Sequence, residues 1–165
     1  MKLRSFEAII AALALERVKY LVAGGLAVNA HGFVRLTKDA DLVVQLDADN
    51  IHAAFAALAS LGYRPLVPIT SEQFADADTR ATLIREKGMN VLQFYSDQHR
   101  ETPVDVFVEM PFPFDDEVKR ALIRPLANSG PVPFVSRGTL IRMKETVGRE
   151  QDRIDVENLR LLDEA

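Results

Sequence analysis

The 165-residue sequence contains no cysteine, and its 3 histidines are scattered along the chain. Without cysteine there is no disulfide framework, no thiolate metal site and no cysteine nucleophile. The isolated histidines His31 and His99 have no carboxylate at metal-site spacing, so we expect structural or surface roles for them. Any metal site in this chain is therefore expected to use oxygen ligands.

Long apolar segments and an excess of positive charge are also missing. No uncharged run of about 18 residues and no signal-like N-terminal segment occurs. The net charge is −4, which argues against binding of duplex DNA by bulk charge. We therefore expect a soluble cytoplasmic protein with no membrane partner, which could still bind a nucleotide or an RNA end through a local patch.

The composition is that of a folded globular protein, with 48% apolar and 27% charged residues. No repeat or linker interrupts the chain, so we expect one domain over residues 1–165. The order of predicted elements is α-β-α-β-α, then a β-rich part, then two helices at about 136–165. This order predicts an α+β (α/β) fold with a mixed sheet, flanking helices and two C-terminal helices.

Periodicity and turn residues place the individual elements. The predicted helices are Ser5–Val18 with Ser5 as its cap, Leu26–His31, Asp49–Leu61, one from Ser136 to Gly148, and a last one capped by Asp152. The predicted strands are Tyr20–Ala23, Asp41–Leu46, an edge segment Tyr63–Val67, a hairpin of Thr82–Arg85 and Asn90–Tyr95 about Gly88, Val104–Glu109, and two pieces around Asn128.

The first candidate motif is the pair Gly24-Gly25, which follows an apolar strand and precedes a short helix. Paired glycines let the backbone turn tightly and let a ligand approach the main chain closely. Free N–H groups at the start of the following helix favour phosphate. An ordinary strand-to-helix turn explains the same residues, so the motif alone leaves both interpretations open.

The second motif is Thr37-Lys38-Asp39-Ala40-Asp41, directly before an apolar run. Side chains two residues apart lie on one face of an extended segment, so Asp39 and Asp41 are expected to project together. Neighbouring carboxylates repel each other unless a cation lies between them, and oxygen ligands favour Mg²⁺ or Mn²⁺. The alternative is a solvated loop in which Asp39 is a turn residue.

The third candidate is Asp105, a charged residue inside the apolar strand Val104–Glu109. A buried carboxylate is costly unless it is paired or binds a metal. If this strand lies beside the strand of Asp41, three carboxylates converge. The alternative places Asp105 on the solvent-facing side of an edge strand.

Taken in order, these motifs resemble the nucleotidyltransferase superfamily of the polymerase-beta type, with its Gly-Gly or Gly-Ser turn, Asp-x-Asp pair and third strand-borne aspartate. The segment Arg35-Leu36-Thr37-Lys38-Asp39-Ala40-Asp41-Leu42 is similar to the Arg-x-Thr-x-Asp-x-Asp-Leu form of minimal, toxin–antitoxin-associated members. Lys144 followed by Asp152-Arg153-Ile154-Asp155 resembles the tail of the AbiEii-like toxin branch. The resemblance covers most of the chain.

The resemblance implies a metal-dependent enzyme that moves a nucleoside monophosphate from an NTP to a hydroxyl acceptor, with Mg²⁺ or Mn²⁺ as cofactor. Asp39 and Asp41 would be ligands shared by the metals. Asp105 would hold the metal nearest the acceptor and help the acceptor hydroxyl lose its proton. These three aspartates are the predicted metal ligands and catalytic carboxylates.

The nucleotide-binding residues implied by the same resemblance are Gly24, Gly25, Arg35 and Thr37. The two glycines would cradle the β- and γ-phosphates. Arg35 either pairs with Asp41 or contacts phosphate. Thr37 lies beside the acids, where its hydroxyl either contacts the nucleotide or only fixes the loop.

Two features of the C-terminal helices have alternative interpretations. Lys144 is a predicted catalytic residue that reaches the triphosphate or the acceptor as a point charge, or else it lies on a solvated helix face. We expect Asp152 to act as a helix N-cap rather than as a catalytic group. Asp155 would then complete a pair that resembles a capping box.

Three functions remain open at this stage. The chain is an active transferase with an RNA end, a protein hydroxyl or a small-molecule hydroxyl as acceptor, or it is a toxin–antitoxin component with an antitoxin or toxin partner. Alternatively, it is a catalytically inactive nucleotide-binding or protein-interaction module. The three carboxylates favour the first two functions. Gly25, where many active members have serine, and the short chain favour the third.

Overall fold

The computed structural model describes residues 1–127 and 129–162. The helices are α1 (Leu3–Leu15), α2 (Gly24–Ala30), α3 (Ala48–Ser60), α4 (Ser71–Ala75), α5 (Ala77–Lys87), α6 (Phe114–Arg120), α7 (Arg137–Val147) and α8 (Glu150–Leu161). The strands are β1 (Tyr20–Val22), β2 (Ala40–Val44), β3 (Arg64–Pro65), β4 (Val91–Tyr95), β5 (Val104–Phe107), β6 (Leu122–Leu126) and β7 (Gly130–Phe134). Within these residues, no helix has the length and apolar character needed to cross a membrane.

The strands form one mixed sheet in the order β3-β4-β5-β2-β1-β7-β6. The pairs β2–β5 and β1–β7 are parallel, whereas the other neighbours are antiparallel. Helices flank this sheet, and α7 and α8 end the described chain. The predicted α+β class, with a mixed sheet and two C-terminal helices, is confirmed.

The centre of the sheet is buried on both of its faces. Leu42 and Val43 are consecutive residues of β2 and therefore point to opposite faces, yet both are fully buried. Leu21 and Val22 of β1 are fully buried in the same way. Covering both faces explains why these strands read as unbroken apolar runs in the sequence.

The helices pack in two groups that matter for the site. Helix α1 packs on α3 through an apolar face that includes Phe6, Ile9 and Leu13. Helices α7 and α8 pack against each other, and α2 contacts α7. The C-terminal helix pair therefore lies next to the helix that begins at the paired glycines.

The start of α7 is capped from another helix. Ser136 occupies the N-cap position, as predicted, but its side chain makes no capping hydrogen bond. Instead, the fully buried Glu117 of α6 accepts hydrogen bonds from the Ser136 backbone N–H at 2.6 Å and from Thr139 Oγ1 at 2.6 Å. A carboxylate from α6 thus satisfies donors that the helix start leaves open.

The N-terminal helix begins earlier than predicted. It starts at Leu3 with Lys2 as its N-cap, so the prediction that Ser5 caps it is wrong. The Ser5 side chain is buried and its Oγ lies 2.9 Å from His99 Nδ1. His99 also stacks on Tyr63 and therefore has the structural role that the sequence suggested.

The predicted hairpin about Gly88 is wrong in its first half. Thr82–Arg85 belongs to α5, while β4 matches the predicted second strand. Asp76 caps α5 by accepting a hydrogen bond from the Thr79 N–H at 2.8 Å. Gly88 ends this helix in the left-handed conformation, with φ +59.

A further helix was missed between β5 and β6. Helix α6 begins at Phe114, the last residue of the Pro111–Phe114 stretch, and Phe114 is buried in the core. The two extended pieces predicted beyond it are β6 and β7, which form an antiparallel pair. Asn128, the predicted turn residue, lies outside the described residues.

Candidate active site

An extended segment, residues 33–39, brings several candidate residues onto one side of the chain. Exposure alternates along it, so that Phe33, Arg35, Thr37 and Asp39 are half-buried while the residues between them are exposed. Asp41 continues the half-buried series into β2, whereas its neighbours Ala40 and Leu42 are fully buried. This alternation is the period-2 pattern that predicted a shared face for Asp39 and Asp41.

The two strand-borne aspartates lie directly opposite each other. Strand β5 pairs with β2 in parallel, with Asp41 in register with Asp105. The flanking pairs, Ala40 with Val104 and Leu42 with Val106, are buried on the other face of the sheet. The Asp41 and Asp105 side chains therefore stand side by side, so the alternative that put Asp105 on an edge strand is wrong.

Asp105 has a hydrogen-bond partner on its other side. Gln93 of β4 is its register partner, and Gln93 Nε2 donates to Asp105 Oδ1 at 3.0 Å. Burial raises the pKa of Asp105, the hydrogen bond from Gln93 opposes this rise, and the charge of Asp39 adds to it. Asp105 is thus oriented by a neutral donor and is more basic than an ordinary aspartate.

Asp41 is the most strongly perturbed carboxylate of this group. Burial is the largest cause, followed by the charges of Asp105 and Asp39, and together they raise its pKa from 3.8 to about 6. The positive charges of Lys144 and Arg149 act in the opposite direction. The electrostatic coupling shows that all three predicted acids lie close enough to repel one another.

This donor set fits a hard divalent cation in its chemistry. Carboxylate oxygens that repel each other beside two in-register strands are the type of ligand that Mg²⁺ and Mn²⁺ prefer. Over residues 1–127 and 129–162, however, no three histidine or acidic side chains form a ready-made metal cluster. Asp41 and Asp105 are placed as a pair, and Asp39 contributes through its charge.

Gly24 is required by the position of Asp41. The glycine is the first residue of α2, and its φ of +59 lies in the left-handed region, as a tight turn between strand and helix requires. A Cβ at this position would lie 1.8 Å from Asp41 Oδ2. The absence of a side chain at Gly24 therefore makes room for the Asp41 carboxylate, which is a role that the sequence did not indicate.

Thr37 and Arg35, two other predicted site residues, occupy the space where Gly25 would carry a side chain. A Cβ on Gly25 would lie 2.5 Å from Thr37 Oγ1 and 3.1 Å from Arg35 Nη1. Thr37 also makes a local hydrogen bond, from its hydroxyl to the Asp39 carbonyl oxygen at 3.4 Å. Serine, which many active members have here, does not fit this position unless Thr37 moves.

Lys144 is buried between two carboxylates. Its ammonium nitrogen lies 2.6 Å from Asp155 Oδ2 and 3.1 Å from Asp152 Oδ1, and only 6% of the residue is exposed. The alternative of a solvated helix face is therefore wrong. The positive charge of Lys144 acts to lower the pKa of Asp41, so Lys144 influences the site electrostatically.

Arg35 pairs with Asp155 and not with Asp41, so that sequence alternative is wrong. The guanidinium donates from Nε to Asp155 Oδ1 at 2.7 Å and from Nη2 to Asp155 Oδ2 at 2.8 Å. Asp155 is fully buried. Burial acts to raise its pKa, but hydrogen bonds from Arg35, Lys144 and Gln151 hold the pKa below its ordinary value.

Asp152 is not the N-cap of α8. That position belongs to Arg149, and Asp152 is the third residue of the helix. Its carboxylate accepts hydrogen bonds from the Arg149 backbone N–H at 3.2 Å and from Arg149 Nε at 2.9 Å. The predicted capping-box role of Asp155 is also wrong, because Asp155 binds Arg35 and Lys144 instead.

Sequence reasoning missed two residues of this site. Gln93 carried a weak signal, since it is a polar residue inside the apolar strand Val91–Tyr95. Arg149 follows the glycine that ends α7 and gave no signal by itself, although its charge acts on Asp41. The contacts of Arg35, Lys144 and Arg149 join residues from the extended segment, α7 and α8, so only the fold brings them together.

The structure also shows a surface cleft beside Asp39 and a backbone contact of His31. A surface cleft of about 490 Å³ opens beside Asp39, with Lys38 and Arg100 also in its lining. His31 Nε2 lies 2.9 Å from the Val135 carbonyl oxygen, which agrees with the structural role expected for it. Of the three predicted acids, Asp39 is in the lining of this cleft, whereas Asp41 and Asp105 are not.

Comparison with known proteins gives matches by structure alone. No protein-family model matches the sequence, and no curated protein matches it. A lincosamide antibiotic adenylyltransferase, LnuA, solved with lincomycin, superposes with a TM-score of 0.59 at 14% identity, over 91% of this chain and 90% of that chain. ANT(2")-Ia, solved with adenylyl-2"-tobramycin, gives a TM-score of 0.60 at 13% identity, over 99% and 89%.

An antigenic nucleotidyltransferase-like protein from Paracoccidioides brasiliensis is also similar, with a TM-score of 0.56 at 17% identity over 95% of this chain and 74% of that chain. Identities this low show a shared fold and nothing finer. They do not distinguish the AbiEii-like branch from any other. The chain therefore has the nucleotidyltransferase fold, in which a mixed sheet carries flanking helices and two helices close the C-terminal end.

Proposed function

We propose that this chain is a metal-dependent nucleotidyltransferase, which moves a nucleoside monophosphate from an NTP to a hydroxyl acceptor. The observation that carries the proposal is the in-register pair Asp41 and Asp105 on parallel strands, with the charge of Asp39 acting on both. A fold gains nothing in stability from carboxylates whose charges raise the pKa of a buried neighbour, as those of Asp105 and Asp39 do for Asp41. Such an arrangement is typical of a site that a ligand completes.

The acids would hold Mg²⁺ or Mn²⁺, with Asp41 and Asp105 as the placed pair and Asp39 as the third ligand. Bound there, the cation neutralises charge on the triphosphate and on the developing transition state. Gln93 keeps the Asp105 carboxylate oriented through its hydrogen bond. Lys144 contributes positive charge from its buried position without leaving its carboxylate partners.

Asp105 is the residue that we assign to the acceptor proton. The acceptor oxygen forms a bond to the α-phosphorus, the bond from the α-phosphorus to the bridging oxygen breaks, and pyrophosphate leaves. The proton of the acceptor hydroxyl passes to Asp105, whose raised pKa makes it a better base than an ordinary aspartate. In-line alignment of the two oxygens is the main requirement that the site has to meet.

Gly24, Gly25, Arg35 and Thr37 are the proposed phosphate-binding residues. At Gly24 the Asp41 carboxylate fills the space of a side chain, so the role proposed for this glycine is to keep that acid beside the phosphate-binding main chain. Arg35 and Thr37 lie against Gly25, so their polar atoms occupy the place of a serine hydroxyl. Phosphate contacts from Arg35 and Thr37 would replace the contact of the serine that many active members have at this position, which supports phosphate binding here.

The acceptor proposed first is a small-molecule hydroxyl. LnuA, named as a lincosamide antibiotic adenylyltransferase, and ANT(2")-Ia, solved with adenylyl-2"-tobramycin, match this chain over 90% and 89% of their own length, so a short chain is compatible with that class of acceptor. An RNA end or a protein hydroxyl remains a second class. A toxin–antitoxin role, with an antitoxin or toxin as partner, stays a prediction from the resemblance of the tail.

The test is transfer of label from each α-labelled NTP in the presence of Mg²⁺ or Mn²⁺. Parallel reactions contain lincomycin, tobramycin, total tRNA or a protein lysate as acceptor. We expect covalent labelling of one acceptor class, and loss of labelling in the variant that combines Asp41→Asn with Asp105→Asn. Asp49→Asn is the matched control, because this acid is exposed on α3 and outside the site.

The outcomes separate the remaining functions. NTP binding without transfer to any acceptor would favour the inactive nucleotide-binding module. Transfer that persists in the Asp41 and Asp105 double variant would show that the reaction centre lies elsewhere. Absence of both binding and transfer would contradict the proposed function.

A further inference from the structure

The Arg35 guanidinium is held by the carboxylate of one residue, Asp155. Both Nε and Nη2 donate to Asp155, and Nη1 donates to the Leu36 carbonyl oxygen at 2.9 Å. Lys144 differs, because it contacts Asp152 as well as Asp155. Among the ion pairs of the described chain, Asp155 is the acidic partner of Arg35. Loss of Asp155 would therefore release Arg35 but leave Lys144 held.

A released Arg35 would be within reach of the acids. Its Nη1 lies 3.1 Å from the Cβ position of Gly25, and Asp41 Oδ2 lies 1.8 Å from that of Gly24. The two glycines are consecutive, with Cα atoms about 3.8 Å apart, so Arg35 Nη1 and Asp41 Oδ2 are no more than about 12 Å apart. Because the arginine side chain is long and has several rotatable bonds, a change of rotamers moves its guanidinium through a distance of this order.

The backbone of Arg35 stays in place when its side chain moves. Its N–H donates to Asn29 Oδ1 at 2.9 Å, and its carbonyl oxygen accepts from Asn29 Nδ2 at 2.9 Å. Asn29 belongs to α2, the helix that starts beside Asp41. The side chain is thus presented to the site from a fixed point, and Asp155 is the acidic group that directs it away from Asp41.

We infer that Asp155 is a positioning residue that holds Arg35 away from Asp41 and so leaves the Asp41–Asp105 pair to a divalent cation. A guanidinium on Asp41 would neutralise the charge that attracts the metal and would occupy the same oxygens. Asp155 lies in α8, 120 residues from Arg35 along the chain. The last helix thereby controls which cation the site accepts, an inference that rests on the proposed metal site.

The first experiment measures Mn²⁺ binding to the full chain, without nucleotide, by calorimetry. We expect Asp155→Asn to weaken Mn²⁺ binding about tenfold, within the usual coupling between contacting residues. Adding Arg35→Gln to Asp155→Asn should restore most of the affinity, by a larger factor than Arg35→Gln produces in the wild type. A role limited to holding the fold together predicts no such restoration.

Glu117→Gln is the matched control for lost stability. Glu117 is as fully buried as Asp155 and ties α6 to the start of α7, with no contact to the candidate site residues. Its substitution should lower the free energy of unfolding and leave Mn²⁺ affinity near that of the wild type. An equal loss of Mn²⁺ affinity in Glu117→Gln would overturn the inference.

The second experiment needs no metal. A double-mutant cycle of Arg35→Gln and Asp41→Asn, read by urea unfolding, should show negligible coupling in the wild type and a clear coupling in the Asp155→Asn background. Absence of that new coupling overturns the inference, whether or not Mn²⁺ binds. Wild-type protein without Mn²⁺ affinity would contradict the proposed function, and the metal-free cycle would still decide the role of Asp155.

The remaining outcomes are also decisive. If Asp155→Asn has wild-type Mn²⁺ affinity, or a lower affinity that Arg35→Gln does not restore, the inference is overturned while the metal site stands. If Asp155→Asn fails to fold but its combination with Arg35→Gln folds, the released arginine is the cause and the inference is supported. If neither folds, Asp155 acts in the fold without Arg35 and the inference is overturned.

Discussion

Replacing Asp41 with asparagine is expected to stabilise the metal-free protein at neutral pH. The pKa of Asp41 is raised from 3.8 to about 6 by burial and by the charges of Asp105 and Asp39. One unit of pKa corresponds to about 1.4 kcal/mol, so the ionised carboxylate costs the folded state about 3 kcal/mol. Asparagine has nearly the same shape and carries no charge, so it removes this cost.

The expected effect has a defined pH dependence. Because the pKa in the folded state exceeds the unfolded value, the folded protein binds more protons between about pH 4 and 6. The contribution of Asp41 to stability therefore falls as the pH rises through this window and is lowest above it. The advantage of Asp41→Asn should be near zero at about pH 4 and approach about 3 kcal/mol above pH 7.

Urea unfolding of both proteins in the presence of a chelator, at several pH values across that window, measures the difference directly. Asp152 and Asp155 have lowered pKa values and change the stability of both proteins at lower pH. Their contribution is the same in both proteins and therefore cancels in the difference. Asp49→Asn, on the exposed side of α3, should show no such pH-dependent gain. A difference that stays flat across the window, or a loss of stability in Asp41→Asn at pH 7, would refute the reasoning.

Three further substitutions test the packing around the site. Gly24→Ala should cost about 3 kcal/mol, because it adds a strained positive φ and displaces the Asp41 carboxylate. The cost should shrink in an Asp41→Ala background, which thermal unfolding can compare. Gly25→Ser should destabilise by about 1–3 kcal/mol through its clash with Thr37, against the tolerance that the family pattern suggests. Glu117→Gln should cost about 1–3 kcal/mol in urea unfolding, since donors at the start of α7 lose a charged acceptor.

Elements with a strong apolar pattern could be predicted from the sequence, and those without one could not. Strands β1, β2 and β5 and helices α3, α7 and α8 lie close to their predicted positions. Helix α5 has no buried residue, so no apolar face marks it in the sequence. Its available signals were the Asp76 cap and the closing Gly88. Helix α6 is short and is marked by acidic residues in its first turn and basic residues in its last turn.

The acids of the site were predictable because their signal is local. The period-2 rule places Asp39 and Asp41 on one face, and a charge inside an apolar strand draws attention to Asp105. Their convergence was conditional on strand order, since β5 pairs with β2 across an intervening part of the chain. A non-consecutive parallel pair leaves no trace in the spacing of residues.

The ionic contacts of the C-terminal helices could not be predicted, since their partners are distant in sequence. A motif of one lysine and two aspartates suggests a cation for the triphosphate, but the fold turns both carboxylates onto that cation and onto Arg35. Positive and negative groups thus alternate across the site. The acids on the sheet are followed by the cations Arg35, Lys144 and Arg149, and these cations pair with the two aspartates of α8. Removing either aspartate of α8 leaves a cation near the acids without its partner. The C-terminal helices therefore help to set the charge balance of the site, in addition to packing against it.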